Sequence, residues 1–312
     1  MSSRTERKKK KPTWLKVLLS IIVILIFAAG AYAYMVYHSL TSAVETMHSP
    51  LDREKSDKRT EQVSLKQAQP FSVLLLGVDQ RKNDRGRSDS IIVMAVNPNT
   101  NSVKMLSIPR DTRTEIVGKG TVDKINHAYA FGGAKMSLDT IEKFLDIPID
   151  YYVQVNMEGF KDIVDAVGGV TVQNDLDFSY EGSHFPKGEL TLKGERALRY
   201  SRMRHEDPRG DFGRQQRQRQ IIQGVIHEGA SLSSLTNYSD IFSALGNNVK
   251  TNLTFNEMVT IQSKYRDAGN SIEQIPVNAK GTMIDRISYQ LVSDEEKARL
   301  HQVLAEQLEL KK

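Results

Sequence analysis

A run of 21 residues without a charge, "VLLSIIVILIFAAGAYAYMVY" from Val17 to Tyr37, constrains this chain more than any other feature. As a helix it extends about 31 Å at the standard rise, enough to cross the hydrocarbon layer of a bilayer. Trp14 stands at one end and Tyr32, Tyr34 and Tyr37 at the other, where interfacial aromatics belong. Arg4, Arg7, Lys8, Lys9, Lys10, Lys11 and Lys16 lie before or at its start, so the positive-inside bias keeps the N-terminus cytoplasmic and sends the rest out. The small residues at Ala31–Ala33 allow a cleaved signal peptide instead, although the apolar run exceeds the roughly 7 to 15 residues of a signal h-region. Both readings put the working domain outside the cytoplasm, and the first makes the chain a single-pass type II protein of the cell membrane.

The same tail argues against nucleic-acid binding. The 312-residue chain carries +5 at pH 7, but seven tail cations against Glu6 give +6 there, which leaves −1 for everything else. The basic character belongs to a tail, and a basic DNA-binding domain is disfavoured. There is no cysteine, which excludes disulfides, thiolate metal sites and cysteine nucleophiles together.

The chain divides into four regions: a basic tail over 1–16, the spanning helix over 17–37, a polar stalk or linker over 38–70, and one domain over 71–312. "FSVLLLGV" (71–78) and "SIIVMAVNP" (90–98) read as buried strands, and "VKMLSIP" (103–109) pairs with the second as a hairpin. Helical patterns alternate with further short strands, the signature of an α/β layered domain. GxxxxGK[ST], GxGxxG, HExxH, GxSxG and SxxK are all absent, which removes the usual sequence support for nucleotide cradles, zinc peptidases and serine hydrolases.

What remains is arginine. "RMRHEDPRGDFGRQQRQRQ" (202–220) holds six arginines among nineteen residues. With residues 212–228 helical, Ile221, Ile222, Val225 and Ile226 form one apolar face, and Arg214 and Gln218 fall near its centre, pointing inward. Gln216, Gln220, Gln223 and His227 lie opposite, facing solvent, with Arg217 and Arg219 on the flanks. Arg202 and Arg204, two apart, project from one side of an extended segment. A guanidinium stays charged in a protein, so the inward Arg214 requires an anion. That anion is either internal, from Glu206, Asp207 and Asp211, or a ligand.

Two further clusters sharpen the choice. Asp79 follows one buried strand and Asp89 precedes the next, at one edge of a sheet, a usual place for a site. Arg87 in "GRSDS" and Arg110 with Asp111 in "SIPRDT" add charge to that edge. Hard carboxylates without cysteine favour Mg2+ or Mn2+ over zinc. Arginine forks beside a carboxylate-bound divalent ion, with no phosphate loop, suit a phosphate or pyrophosphate ligand.

At these residues the sequence resembles the LytR-CpsA-Psr family of Gram-positive bacteria, in particular its wall teichoic acid transferase members. "LLLGVDQR", "GRSDSI", "SIPRDT", "DKINHAYAFGG", "NMEGF", "DAVGGV", the arginine stretch and "NLTF" carry the likeness over 71–290, together with the membrane anchor. The resemblance implies an α/β/α sandwich around a central mixed sheet, with an apolar groove for a polyprenyl tail. It implies an enzyme that moves a phosphoglycopolymer from an undecaprenyl pyrophosphate carrier to the 6-hydroxyl of muramic acid in peptidoglycan. By the same resemblance Asp79 and Asp89 bind Mg2+, while Arg87, Arg110, Arg202, Arg204, Arg214 and Gln218 hold the pyrophosphate. Asp211 is a further polar participant and Lys124 a weaker one. Asp111 or Asp211 is the expected proton acceptor. A non-catalytic binder of the same lipid-linked precursors is the alternative.

Overall fold

The structure, a computed structural model, describes residues 13–79, 86–231 and 245–310. Residues 1–12 of the expected basic tail and residues 80–85, between the two strands that carry Asp79 and Asp89, lie outside the described residues. Helix α1 (Thr13–Met47) takes in the whole uncharged run, and its 21–47 portion is long and apolar enough to cross a membrane. It continues past Tyr37, because no proline or glycine interrupts it before Pro50.

Residues 38–70, expected as a polar stalk or linker, continue α1 as far as Met47 and are bound to the domain at several points. Val44 and Met47 are buried against Leu245 and Val249. The Ser49 amide donates to the Thr251 carbonyl at 2.7 Å. Arg53 reaches Glu142 at 2.6 Å, Arg59 reaches Asp150 at 2.7 Å, and Leu65 enters the core. Charges that look solvated in sequence are matched to carboxylates about 90 positions away, so this segment straps the domain to α1.

The domain then runs β1 (Phe71–Val78), β2 (Ser88–Asn97), β3 (Ser102–Ser107), β4 (Arg113–Ile116), β5 (Thr121–Lys124), α2 (His127–Leu145), β6 (Tyr151–Val155) and α3 (Met157–Ala166). It continues with β7 (Val170–Asn174), β8 (Phe178–Tyr180), β9 (Ser183–Phe185), β10 (Gly188–Leu192), α4 (Gly194–Arg202), α5 (Asp211–Ser231) and β11 (Val249–Thr251). A helix over Phe255–Lys264, β12 (Ile272–Ile275), the β13 (Lys280–Ile284) and β14 (Ile287–Leu291) hairpin, and a helix over Asp294–Gln307 close the chain.

Among the described residues the central sheet has the order β11-β6-β1-β2-β3-β12. β1, β2 and β3 form an antiparallel meander, β6 is parallel to β1, and β12 is parallel to β3, so the sheet is mixed. Leu74, Leu76, Val78, Ile91 and Val93 face one layer, made by α2 and the C-terminal helix. Phe71, Val73, Ile92, Met94 and Val96 face the other, with Tyr265, Ile222 and Ile226. Apolar residues on both faces explain why these strands read as continuous apolar runs rather than alternating ones. The architecture is the expected α/β/α sandwich.

A satellite core joins α3, α4, β7–β10 and α5 through Val164, Val172, Phe178, Phe185, Tyr200 and Ile221. It forms a roof over one half of the sheet, and the space beneath that roof is the site.

Candidate active site

Beneath the roof lies a cavity of about 520 Å³, walled by β1, β2, β6, α3, α4 and α5. Its apolar part is built from Leu75, Val153, Phe160, Ile163, Ile222 and Ile226. At the other end stand Asp79, Asp89, Arg110, Arg202, Arg204, Arg214 and Gln218. Segments far apart in sequence thus bring carboxylates and guanidinium groups to the head of an apolar chamber.

The aim of Asp89 depends on one irregularity. Gly77 pairs with Ser90 and Val78 with Ser88, so Asp89 is the extra residue of a β-bulge. A bulge turns two successive side chains to the same side, and both Asp89 and Ser90 line the cavity. Gly77 makes room for this: a Cβ there would lie 2.9 Å from the Ser90 Cβ. Asp79 continues β1 and is fastened by its own N–H to the Arg87 carbonyl at 3.2 Å. The Arg87 side chain is exposed and does not line the cavity, although its carbonyl holds the Asp79 amide at the cavity's edge. It precedes the bulge and misses the turn that re-aims Asp89.

Helix α5 presents Arg214, Gln218, Ile221, Ile222, Val225 and Ile226 to the cavity, the face expected from periodicity. Its other arginines do different work. Arg217, placed on a flank by the same periodicity, is instead 1% exposed. Its Nη1 donates to Asp207 Oδ2 at 2.6 Å, and its Nε and Nη2 donate to the carbonyls of Tyr200 and Met203. Arg209 shares Asp207 and also grips Asp175. Although Asp207 is buried, hydrogen bonds from Arg209 and Arg217 hold its carboxyl well below the usual range. Gly213 lets this carboxylate sit against α5, since a Cβ there would meet Asp207 Oδ2 at 1.9 Å. Gln216 and Gln220, expected on the solvent side of α5, are partly exposed and make surface bonds there, Gln216 to Asp175 and Gln220 to the Gln173 carbonyl. The internal ion-pair network therefore exists: it encloses Arg209 and Arg217 around Asp207, and it also touches Arg202 through Glu181 and Arg204 and Arg214 through Asp211, while these three still line the cavity.

Arg202 ends α4 rather than lying on an extended strand, and Arg204 follows the Met203 cap. Both still reach the cavity because the chain turns between them. Arg214 is 8% exposed and pairs with Asp211 at 2.5 Å, while Arg204 Nε is 3.9 Å from the same oxygen. Arg110 Nη1 donates to Asp89 at 2.7 Å. Burial, together with the charges of Arg110 and Arg204, depresses the Arg214 pKa despite Asp211. For Arg110, burial is outweighed by Asp89, Asp211 and Asp111, so its pKa rises. The buried Nε atoms of Arg110 and Arg214 donate no hydrogen bond among the described residues. Buried unsatisfied donors on crowded cations are costly, and an anion placed between them would supply the missing acceptors.

Asp111 and Lys124 turn to each other at 2.8 Å, and neither lines the cavity. Sequence reasoning passed over Ser90, Asn156, Tyr180, Ser201 and His205, all of which do. Ser90 and His205 neighbour Asp89 and Arg204 and were within reach of the same argument. Tyr180 arrives on the β8–β9 hairpin, whose position carries no local signal.

Among the described residues no three His, Asp or Glu side chains gather as a metal cluster. The acidic side chains that line the cavity are Asp79 and Asp89. Two hard carboxylates facing one cavity fit Mg2+, which is held by one or two carboxylates with water and substrate phosphates filling its other positions.

Fold and site together define an α/β/α domain with an apolar chamber headed by arginines and two carboxylates, joined to a helix of membrane-spanning length. The LytR_cpsA_psr family matches residues 34–306, and the chain belongs to that family. It is 53% identical over 306 residues, 98% of this chain and 99% of the relative, to the polyisoprenyl-teichoic acid--peptidoglycan teichoic acid transferase TagU of Bacillus subtilis. The crystal structure of B. subtilis TagU superposes with a TM-score of 0.64 at 52% identity, covering 78% of this chain and 99% of that one. A structure of TagT bound to LI-WTA gives a TM-score of 0.72 at 30% identity, covering 84% of this chain and 100% of that one.

Proposed function

We propose that this protein transfers wall teichoic acid from an undecaprenyl pyrophosphate carrier to the 6-hydroxyl of muramic acid in peptidoglycan, on the outer side of the cell membrane. One observation carries the reading: a single cavity that is apolar at one end and lined by Arg110, Arg202, Arg204 and Arg214 at the other. An amphiphile with a long hydrocarbon tail and a diphosphate head has that distribution of chemistry. The names of its relatives support the same polymer and acceptor.

Transfer to a hydroxyl breaks the bridging P–O bond of the diphosphate. The acceptor oxygen bonds the phosphorus nearer the glycan, undecaprenyl phosphate leaves with the bridging oxygen, and the hydroxyl proton passes to a base. The diphosphate already holds the energy for this exchange, so no nucleotide is needed. Phosphoryl transfer depends chiefly on positioning and on neutralising charge. Arg110 and Arg214, with their unbonded Nε donors, grip the diphosphate, while Arg202, Arg204 and Gln218 fix its orientation. Asp79 and Asp89 would hold Mg2+ or Mn2+, which when bound supplies further neutralisation of the phosphate oxygens. Asp211 stands within the arginine cluster and accepts the proton, a modest role because a loose transition state asks little of a base.

The test is reconstitution. Purified full-length protein, labelled lipid-linked teichoic acid precursor and peptidoglycan should give covalently attached polymer and free undecaprenyl phosphate. Binding of the precursor without attachment would leave a carrier-binding protein, and phosphate release without an acceptor would leave a hydrolase.

A further inference from the structure

A second concavity, open and about 820 Å³, lies outside the apolar chamber, between Phe212 at the start of α5 and the chain segments around Val277–Lys280 and Leu291–Glu296. We propose that this groove binds the acceptor glycan strand, an inference that rests on the transferase reading above.

Its position follows the geometry of the reaction. In a displacement at phosphorus the attacking and leaving oxygens stand roughly in line. The leaving group is the polyprenyl phosphate, whose tail suits the apolar chamber, so the acceptor must come from the far side of the arginines. Along α5 the order is Ile226, Ile222, Gln218, Arg214, Asp211, with Phe212 beside the last, about 20 Å from Ile226 at the helical rise. The groove therefore begins where the arginine cluster ends. Its opposite wall reaches the same place: Leu291 follows Gln290, whose N–H donates to the Asp111 carbonyl at 2.9 Å, next to Arg110.

Its chemistry selects the occupant. Phe212 is 45% exposed and offers a ring to the groove. The C–H face of a pyranose is apolar and weakly positive, complementary to an aromatic face. In the same lining Lys280, Ser293 and Glu295 supply donors and acceptors for hydroxyl and acetamido groups. Glu296 is spent on Arg299 at 2.7 Å and on Asn278, which stiffens the wall. Two acids and two bases leave the groove without net charge. A polyanionic teichoic chain finds no attraction there, whereas a glycan of low charge density does.

The test uses full-length protein with a tetrasaccharide of alternating N-acetylglucosamine and N-acetylmuramic acid as acceptor. Phe212→Ala and Lys280→Trp, which removes the ring or fills the groove, should each raise the acceptor KM about tenfold, with the donor KM unchanged. Without donor, the tetrasaccharide should slow hydrogen exchange in 276–280 and 291–296 of the wild-type protein. An unchanged acceptor KM, or a rise confined to the donor KM, overturns the proposal and in the latter case gives the groove to the transferred polymer. Absence of exchange protection overturns it as well, whether or not transfer occurs. Protection in a protein that transfers nothing keeps the groove and removes the transferase reading.

Discussion

Arg217 Nη1 lies 2.6 Å from Asp207 Oδ2 with both side chains closed to solvent, while one helical turn earlier Arg214 opens onto the cavity with its Nε unbonded. The same helix thus carries a structural arginine and a ligand-facing one. Arg217→Ala leaves Asp207 to Arg209 alone and strips the Tyr200 and Met203 carbonyls of their buried donor, so it should lower unfolding free energy by about 3 kcal/mol. Arg214→Ala should instead leave Tm within a few degrees and cut transfer by at least about a hundredfold. Thermal melts and the reconstituted assay on both variants check the contrast. Comparable Tm losses would show that Arg214 is also structural.

Asp79→Asn retains the shape of the bulged corner and removes one of the two carboxylates. Transfer should fall, and its response to added Mg2+ should flatten, whereas chelation of wild-type protein should mimic the variant. A Mg2+ titration of initial rates reads both. An unchanged response would remove Asp79 from the metal assignment.

The apolar end of the chamber is tested by filling it. Val225 lines the cavity on α5 and is partly buried, so Val225→Trp should occupy volume intended for the lipid tail. The KM for a long polyprenyl donor should rise about tenfold, with a short-chain donor little affected. Equal effects on both donors would place the tail elsewhere.

Acid should loosen the C-terminal layer. Hydrogen bonds from Arg299, followed by those from Asn278, pull the Glu296 carboxyl down to about 2 despite its burial. A folded-state pKa below the unfolded one means that the pair stabilises fully above the ordinary glutamate range and loses that contribution as pH falls toward 2. Wild-type Tm should therefore drop more steeply than that of Glu296→Gln between about pH 5 and 2. Parallel curves would show that the pair adds nothing.

The sequence by itself determined the uncharged helix, the β2–β3 hairpin and the inward face of α5, because each is set by a local period of charge or apolarity, whereas the antiparallel pairing of β1 with β2 came from the tertiary structure. That period placed Arg214 and Gln218 with Ile221 and Ile222 correctly, since all share one helix. It failed at Arg217, whose flank position gave no hint that Asp207 and the carbonyls of Tyr200 and Met203 would close over it. It gave no hint either at residues 44–70, where Arg53 and Arg59 find carboxylates nearly a hundred residues on. Tertiary structure alone decided which cations are consumed internally and which face the chamber. The reason is physical: periodicity fixes a side chain's direction relative to its own backbone, but whether that direction meets a carboxylate, a cavity or water depends on contacts made far along the chain.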